Sequence, residues 1–407
     1  MASETLPDRK TRRSALLGAI FLMATSAIGP GFITQTTTFT VTLGAAFAFG
    51  ILVSILIDFV VQMNVWRIIT LSGQRAHQIA NAVVPGAGYL LAALIIAGGL
   101  VFNIGNVAGS GLGLNAALGL EPKIGGLLSA ALAIVLFAVK RAGAAMDRVL
   151  IVLGLLMIGL TLYVAIASGP PVGDALRQTF RPDTIDFAAI TTIIGGTVGG
   201  YITYSGAHRL LDSGTTGPEH VGEVTRGALA SIAVTGLMRF LLFLAILGVV
   251  ASGVVLDTAG NATADAFRAA AGEFGRRAFG LVLWAAAISS VVGAAYTSVS
   301  FFDAFSARLN PPRPRAWATV AFIAVTTVIY LLIGTAPAAL LVFAGGFNGL
   351  ILPIGFTILL YAAWRRRDVL GGHRHPAWLL VLGALVAVVT WYMGVVSVRT
   401  IFDYLVA

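Results

Sequence analysis

Long apolar stretches separated by short polar segments order the whole chain. They run approximately over 14–40, 43–66, 87–109, 124–140, 147–168, 187–208, 226–250, 278–304, 316–334, 338–363 and 377–397. Each is close to the roughly 20 apolar residues that a helix needs to cross a bilayer. A helix also satisfies its own backbone groups where no water is present. The pattern predicts an all-α integral membrane protein of about 11 transmembrane helices. A short amphipathic helix is predicted around Ala264–Phe274, in the segment between the seventh and eighth stretches.

Two of the stretches carry concentrated helix breakers. The first contains Gly29-Pro30-Gly31-Phe32-Ile33-Thr34-Gln35, and the sixth contains Gly195-Gly196-Thr197-Val198-Gly199-Gly200-Tyr201-Ile202-Thr203-Tyr204. Proline removes a backbone donor, and glycine favours non-helical angles. Broken backbone at membrane depth is tolerated where it lines a cavity or is buried in protein. The two breaks lie five helices apart, so the second unit is inverted relative to the first. Paired breaks in inverted repeats point to a transporter's central site. The expected organisation is a tail at 1–13, a first repeat at 14–168, a second at 187–363, and an eleventh helix with its tail at 377–407.

Composition agrees with a lipid environment. The 407 residues are 58% hydrophobic and 11% charged, against about 25% charged in soluble domains. The mean hydropathy of +0.93 rules out a water-soluble core. Zero cysteines exclude disulfides and thiolate metal sites. The net charge of +9 does not signal nucleic acid, because the basic residues lie in short loops between apolar runs. With the amino terminus inside, 18 of the 26 Lys and Arg fall on inner segments. Seven fall outside: Lys123, Arg177, Arg181, Arg268, Arg276, Arg277 and Arg399. This asymmetry predicts a cytoplasmic amino terminus and an outer carboxyl terminus in the cell (inner) membrane. No cleavable signal pattern is expected. The 48 glycines suit close helix packing in lipid.

In detail the chain resembles the natural resistance-associated macrophage protein (NRAMP) family. The resemblance rests on Asn106-Val107-Ala108-Gly109-Ser110 with Leu114-Asn115, on Gly195-Gly196-Thr197-Val198, on Ala264-Asp265-Ala266-Phe267 through Ser289-Ser290, and on Leu352-Pro353 followed by Arg365–Arg367. It implies the leucine-transporter fold, a 5+5 inverted repeat with helices 1 and 6 broken. The departures are informative. The family's metal-binding Asp-Pro-Gly-Asn falls on Gly29-Pro30-Gly31-Phe32, and its Met-Pro-His on Gly199-Gly200-Tyr201. A tenth-helix Gln falls on Gly345, and two acids linked to proton movement fall on Asn103 and Asn106. A dehydrated divalent ion needs carboxylate, amide, imidazole or thioether ligands, and none remains at the aligned positions. No metal ligands are therefore assigned.

An unwound helix instead presents free N–H groups that favour an anion. The expected substrate-binding residues are Gly29, Pro30, Gly31, Phe32, Thr34, Gln35, Gly199, Gly200, Tyr201, Thr203 and Tyr204. The expected solute is small and carboxylate- or amino-acid-like. The chain resembles a bacterial branch often encoded near 5-oxoprolinase components, which makes 5-oxoproline an example. No cofactor is expected beyond Na+ or H+ as a coupling ion. Ser289 and Ser290 are either half of a sodium site or bonded back to their own helix. Asp58 either carries protons or pairs with a basic group, and Arg239 either pairs with Asp58 or binds an anionic substrate. Asn103 and Asn106 either hydrate a pathway or bridge helices. The competing readings are a divalent-metal transporter and a channel or membrane receptor. No enzyme motif is visible. The expected partners are the lipid bilayer and a small-molecule substrate, with no nucleic acid and no obligatory protein.

Overall fold

A computed structural model describes residues 27–138, 140–333 and 336–404. The tail expected at 1–13 and the start of the first span lie outside them. Ala27 is helical, Ile28 and Gly29 turn, and the chain restarts as α1 (Pro30–Leu43). Pro30 suits this first position because its missing N–H would have no helical partner there. A 3-10 turn at Gly44–Ala46 leads into α2 (Phe47–Ser72), then the short α3 (Ala76–Val83), α4 (Ala87–Leu118), α5 (Pro122–Ala138), α6 (Lys140–Ala167) and the short α7 (Val172–Phe180). The second half comprises α8 (Phe187–Thr197), α9 (Ile202–Asp212), α10 (Val221–Ala251), α11 (Ala262–Val299), α12 (Pro312–Leu332), α13 (Pro337–Arg365) and α14 (Ala377–Asp403).

The protein is all-helical among the described residues. Eight segments there are long and apolar enough to cross a membrane, with α1 and α2 counted as one run and α8 and α9 as another. The count rises to nine if α6 and α7, bent by 108°, form one span.

Two short helices go beyond the sequence reading. α3 and α7 were not anticipated, because 8 and 9 residues are too few for a clear periodic signal. α3 is held at its start by the Arg75 backbone N–H, which donates to Gln78 Oε1 at 2.9 Å. The short helix expected around Ala264–Phe274 is present as the first part of α11, and Gly272, with non-helical angles of φ +65° and ψ −163°, breaks it from the span that follows.

Small residues let the helices meet backbone to backbone. A Cβ on Gly113 would lie 2.5 Å from the Trp284 backbone nitrogen of α11. On Gly109 it would collide with Pro30, and on Gly195 with the Gly345 carbonyl of α13. α4 and α13 therefore press directly on the two breaks. One buried ion pair ties α2 to α10: Arg239 Nη2 lies 2.6 Å from Asp58 Oδ2, and Arg239 Nη1 donates to Ser54 Oγ at 3.2 Å.

Candidate functional site

The second break is built by backbone geometry. α8 ends with the Val198 and Gly199 N–H groups both donating to the Ile194 carbonyl, at 2.8 and 3.0 Å. Gly200 then takes φ +57°, a left-handed angle that favours glycine. The Thr203 hydroxyl donates back to the Val198 carbonyl and closes the loop. A Cβ on Gly199 would sit 2.7 Å from the Asn348 carbonyl oxygen, and one on Gly200 would overlap the Asn348 amide.

Three buried amides surround the breaks. Gln35, one turn into α1, donates through Nε2 to the Leu341 carbonyl at 2.8 Å. Its side chain lies against Gly196 of α8 and Gly345 of α13. Asn348 donates through Nδ2 to the carbonyls of Gly98, at 3.0 Å, and Ala344, at 2.8 Å. Asn106 lies on α4 between Phe102 and Gly109, at helical spacing. Phe102 faces Gly31 and Gly109 faces Pro30, so this face of α4 looks onto the first break. Gln35 Oε1, Asn348 Oδ1 and both amide atoms of Asn106 are buried and have no hydrogen-bond partner.

The other expected binding residues divide between the centre and its margins. Gly29, Pro30 and Gly31 are buried at the first break, and Tyr201 is buried with its ring edge-on to Phe102 at 5.4 Å. Phe32 turns into an apolar cluster with Ile33, Phe39 and Leu112. Thr34 lines a water-sized recess with Thr37, Thr38, Asn261 and Thr263. Tyr204 stacks edge-on to Phe301 at 5.4 Å, further along α9.

The residues expected to couple an ion are dispersed. Arg239 is engaged by Asp58, as one of the two sequence readings had it. Ser289 donates to the Ala286 carbonyl of its own helix at 2.8 Å, and Ser290 is buried beside it. Asn103 bridges helices, donating to Thr326 Oγ1 at 3.0 Å. Two participants escaped the sequence reading. Asn348 is a polar residue isolated in an apolar glycine-rich span, a signal that was present. Phe102 gave none, since an aromatic in a span is ordinary.

A charged network lies at the far end of α9. Asp212 accepts hydrogen bonds from Arg75 and Tyr296, and Arg315 lies 3.6 Å away. Asp303 lies 3.4 Å from Arg75 Nε and 3.3 Å from His77 Nε2. Burial pushes the His77 imidazole below its ordinary pKa; Asp303 opposes that shift and Arg75 reinforces it. Just inside, His208 accepts from the Ala76 N–H at 3.4 Å and contacts Ser300 Oγ at 3.0 Å. Among the described residues, no group of three or more His, Cys, Asp or Glu could hold a metal ion.

Comparison with known proteins places this architecture. An uncharacterized membrane protein of Bacillus subtilis, YcsG, is 51% identical over 387 residues, covering 95% of each chain. An uncharacterized membrane protein of Haemophilus influenzae is 50% identical over 394 residues, covering 97% of each. Among solved structures, a manganese transporter of Eremococcus coleocola superposes with a TM-score of 0.76 at 17% identity, over 98% of this chain and 90% of that one. MhsT in complex with L-phenylalanine superposes with a TM-score of 0.66 at 17% identity, over 95% and 98%. These likenesses show the leucine-transporter-type fold that the family resemblance implied. The profile of the natural resistance-associated macrophage protein-like family matches residues 20–400, so the chain belongs to this family of membrane transporters.

Proposed function

We propose that the protein is a secondary transporter of a small organic solute bearing a carboxylate, bound between the two helix breaks. The observation that carries this reading is the chemistry of the breaks. Residues 28–35 and 198–205 contain no charged side chain, and the amides around them are neutral. The first turn of α1 offers the Gly31 and Phe32 N–H groups, which have no partner within the helix. Oriented N–H groups at a helix start attract a carboxylate without a fixed positive charge. Alternating access around this site, driven by a sodium or proton gradient across the inner membrane with the amino terminus inside, completes the proposal. 5-Oxoproline is the first compound to test.

A second reading is transport of a divalent cation. The family and the likeness to a manganese transporter favour it, and amide oxygens are acceptable ligands for a hard cation. Against it, a dehydrated divalent ion would meet no counter-charge at the breaks. Uptake into proteoliposomes separates the two. Saturable, gradient-dependent uptake of labelled 5-oxoproline or another small carboxylate, with no manganese uptake, is expected. Saturable manganese uptake that carboxylates do not compete would overturn the proposal.

A further inference from the structure

Gln35 and Asn348 share an unusual constraint. In each, the amide nitrogen is held by backbone carbonyls: Leu341 for Gln35, Gly98 and Ala344 for Asn348. A carbonyl only accepts, so neither amide can be reversed without losing those bonds. The two amide oxygens are therefore fixed as acceptors. Both residues are 0% exposed, and neither oxygen has a partner. Asn106, also 0% exposed, leaves both its oxygen and its nitrogen unpaired. Unpaired buried polar atoms are costly, and a native protein has a reason for each. These four atoms come from three helices, α1, α4 and α13, and lie against the breaks. Gln35 sits at Gly196, Asn348 at Gly200, and Asn106 on the α4 face that covers Pro30 and Gly31.

We infer that Gln35 and Asn348, with Asn106 beside them, form a subsite that reads an N–H group on the transported solute, as a lactam, carboxamide or ammonium. This deepens the organic-solute reading and rests on it. The N–H groups of the first turn of α1 would take the carboxylate, and the fixed amide oxygens would take the N–H. Asn106 can accept one hydrogen bond and donate another, so it suits a lactam or carboxamide that offers both. Such a site rejects a solute of the same shape that has an ether or ester oxygen in place of the N–H. That oxygen would leave the acceptors unpaired and place lone pair against lone pair.

The test uses the full chain in lipid nanodiscs and calorimetric binding of matched pairs. One pair is a five-membered lactam carboxylate and the lactone carboxylate of the same ring. Another is an N-methyl α-amino acid and the α-methoxy acid of the same skeleton, whose ether oxygen carries no donor. In at least one pair the N–H member is expected to bind about 10- to 100-fold more tightly. Asn348→Leu and Gln35→Met, which keep most of the volume, are expected to weaken the N–H member and to shrink or abolish its advantage over its oxygen counterpart. The wild-type comparison needs no variant, so a variant that fails to fold leaves the test intact. Equal binding of both members of every pair overturns the N–H assignment but leaves an organic solute standing. Manganese binding with no binding of any panel compound overturns both. Stabilisation by sodium alone, lost in Asn348→Leu, assigns the oxygens to a cation and overturns the inference.

Discussion

The amide of Gln35 occupies the space that a side chain on Gly345 would need. A Cβ at Gly345 would lie 2.7 Å from Gln35 Cδ and 2.7 Å from the Thr192 carbonyl oxygen. The resemblance to the family aligns a glutamine with Gly345; in this chain the amide beside that position comes from Gln35 of α1. Gly345→Ala is therefore expected to destabilise the fold by about 1–3 kcal/mol through overpacking. Combining it with Gln35→Ala removes one of the two clashes, so the double variant should be more stable than the sum of the single effects predicts. Thermal unfolding of the four proteins in detergent checks this. Strict additivity would mean that Gln35 does not fill the Gly345 space.

The breaks were legible because their cause is local. Pro30, Gly29, Gly31, Gly199 and Gly200 carry their conformational preference in their own covalent structure. Gln35 and Asn106 were legible as residues, but their contacts were not, because a hydrogen bond between Gln35 and Leu341, 306 residues apart, leaves no local trace. Sequence position placed Thr34 and Phe32 with the site, yet the turn of α1 directs them to a recess and to an apolar cluster. Asp58 and Arg239 fall between these extremes. Two opposite charges within spans invite pairing, and the structure pairs them.

That pair sets a second expectation. Asp58→Asn leaves Arg239 buried with no counter-charge, as Arg239→Gln does for Asp58. Removing one partner of a buried pair costs about 3–5 kcal/mol, whereas removing both costs far less. Each single variant should express poorly or unfold early, and the double variant Asp58→Asn/Arg239→Gln should recover most of the thermal stability. Uptake per folded molecule in the double variant should stay near wild type. A folded double variant without gradient-driven uptake would place the pair in ion coupling instead.

The network around Asp212 should act as a latch on α9. Asp212→Asn weakens its contacts with Arg75, Tyr296 and Arg315, and charge-assisted hydrogen bonds of this type contribute about 1.5–3 kcal/mol. The absence of native cysteine allows a direct measurement. Ser205→Cys places a thiol on α9 at a position with 0% exposure. A water-soluble maleimide should label it about tenfold faster in the Asp212→Asn background, the change expected from ~1.4 kcal/mol of lost latching. Unchanged labelling would show that closure of this end does not depend on Asp212.

His375, in the loop before α14, gives the protein a pH-dependent contact with Asn64 of α2. Its Nε2 lies 2.9 Å from Asn64 Oδ1, while Asn64 Nδ2 donates to the carbonyls of Val60 and Leu379. Asn64 therefore presents its oxygen as an acceptor, and the neutral imidazole donates through Nε2–H. Burial, with a smaller contribution from Arg67, lowers the His375 pKa from 6.5 to about 4. The unfolded chain binds the proton first as pH falls. The stability from this group is fully present above about 6.5 and is lost as pH falls through the folded value near 4. The thermal midpoint of the wild type should fall between pH 7 and pH 4.5. His375→Gln keeps a donor toward Asn64 but cannot titrate, so its midpoint should fall less over the same interval. Parallel curves for the two proteins would show that other groups set the acid sensitivity.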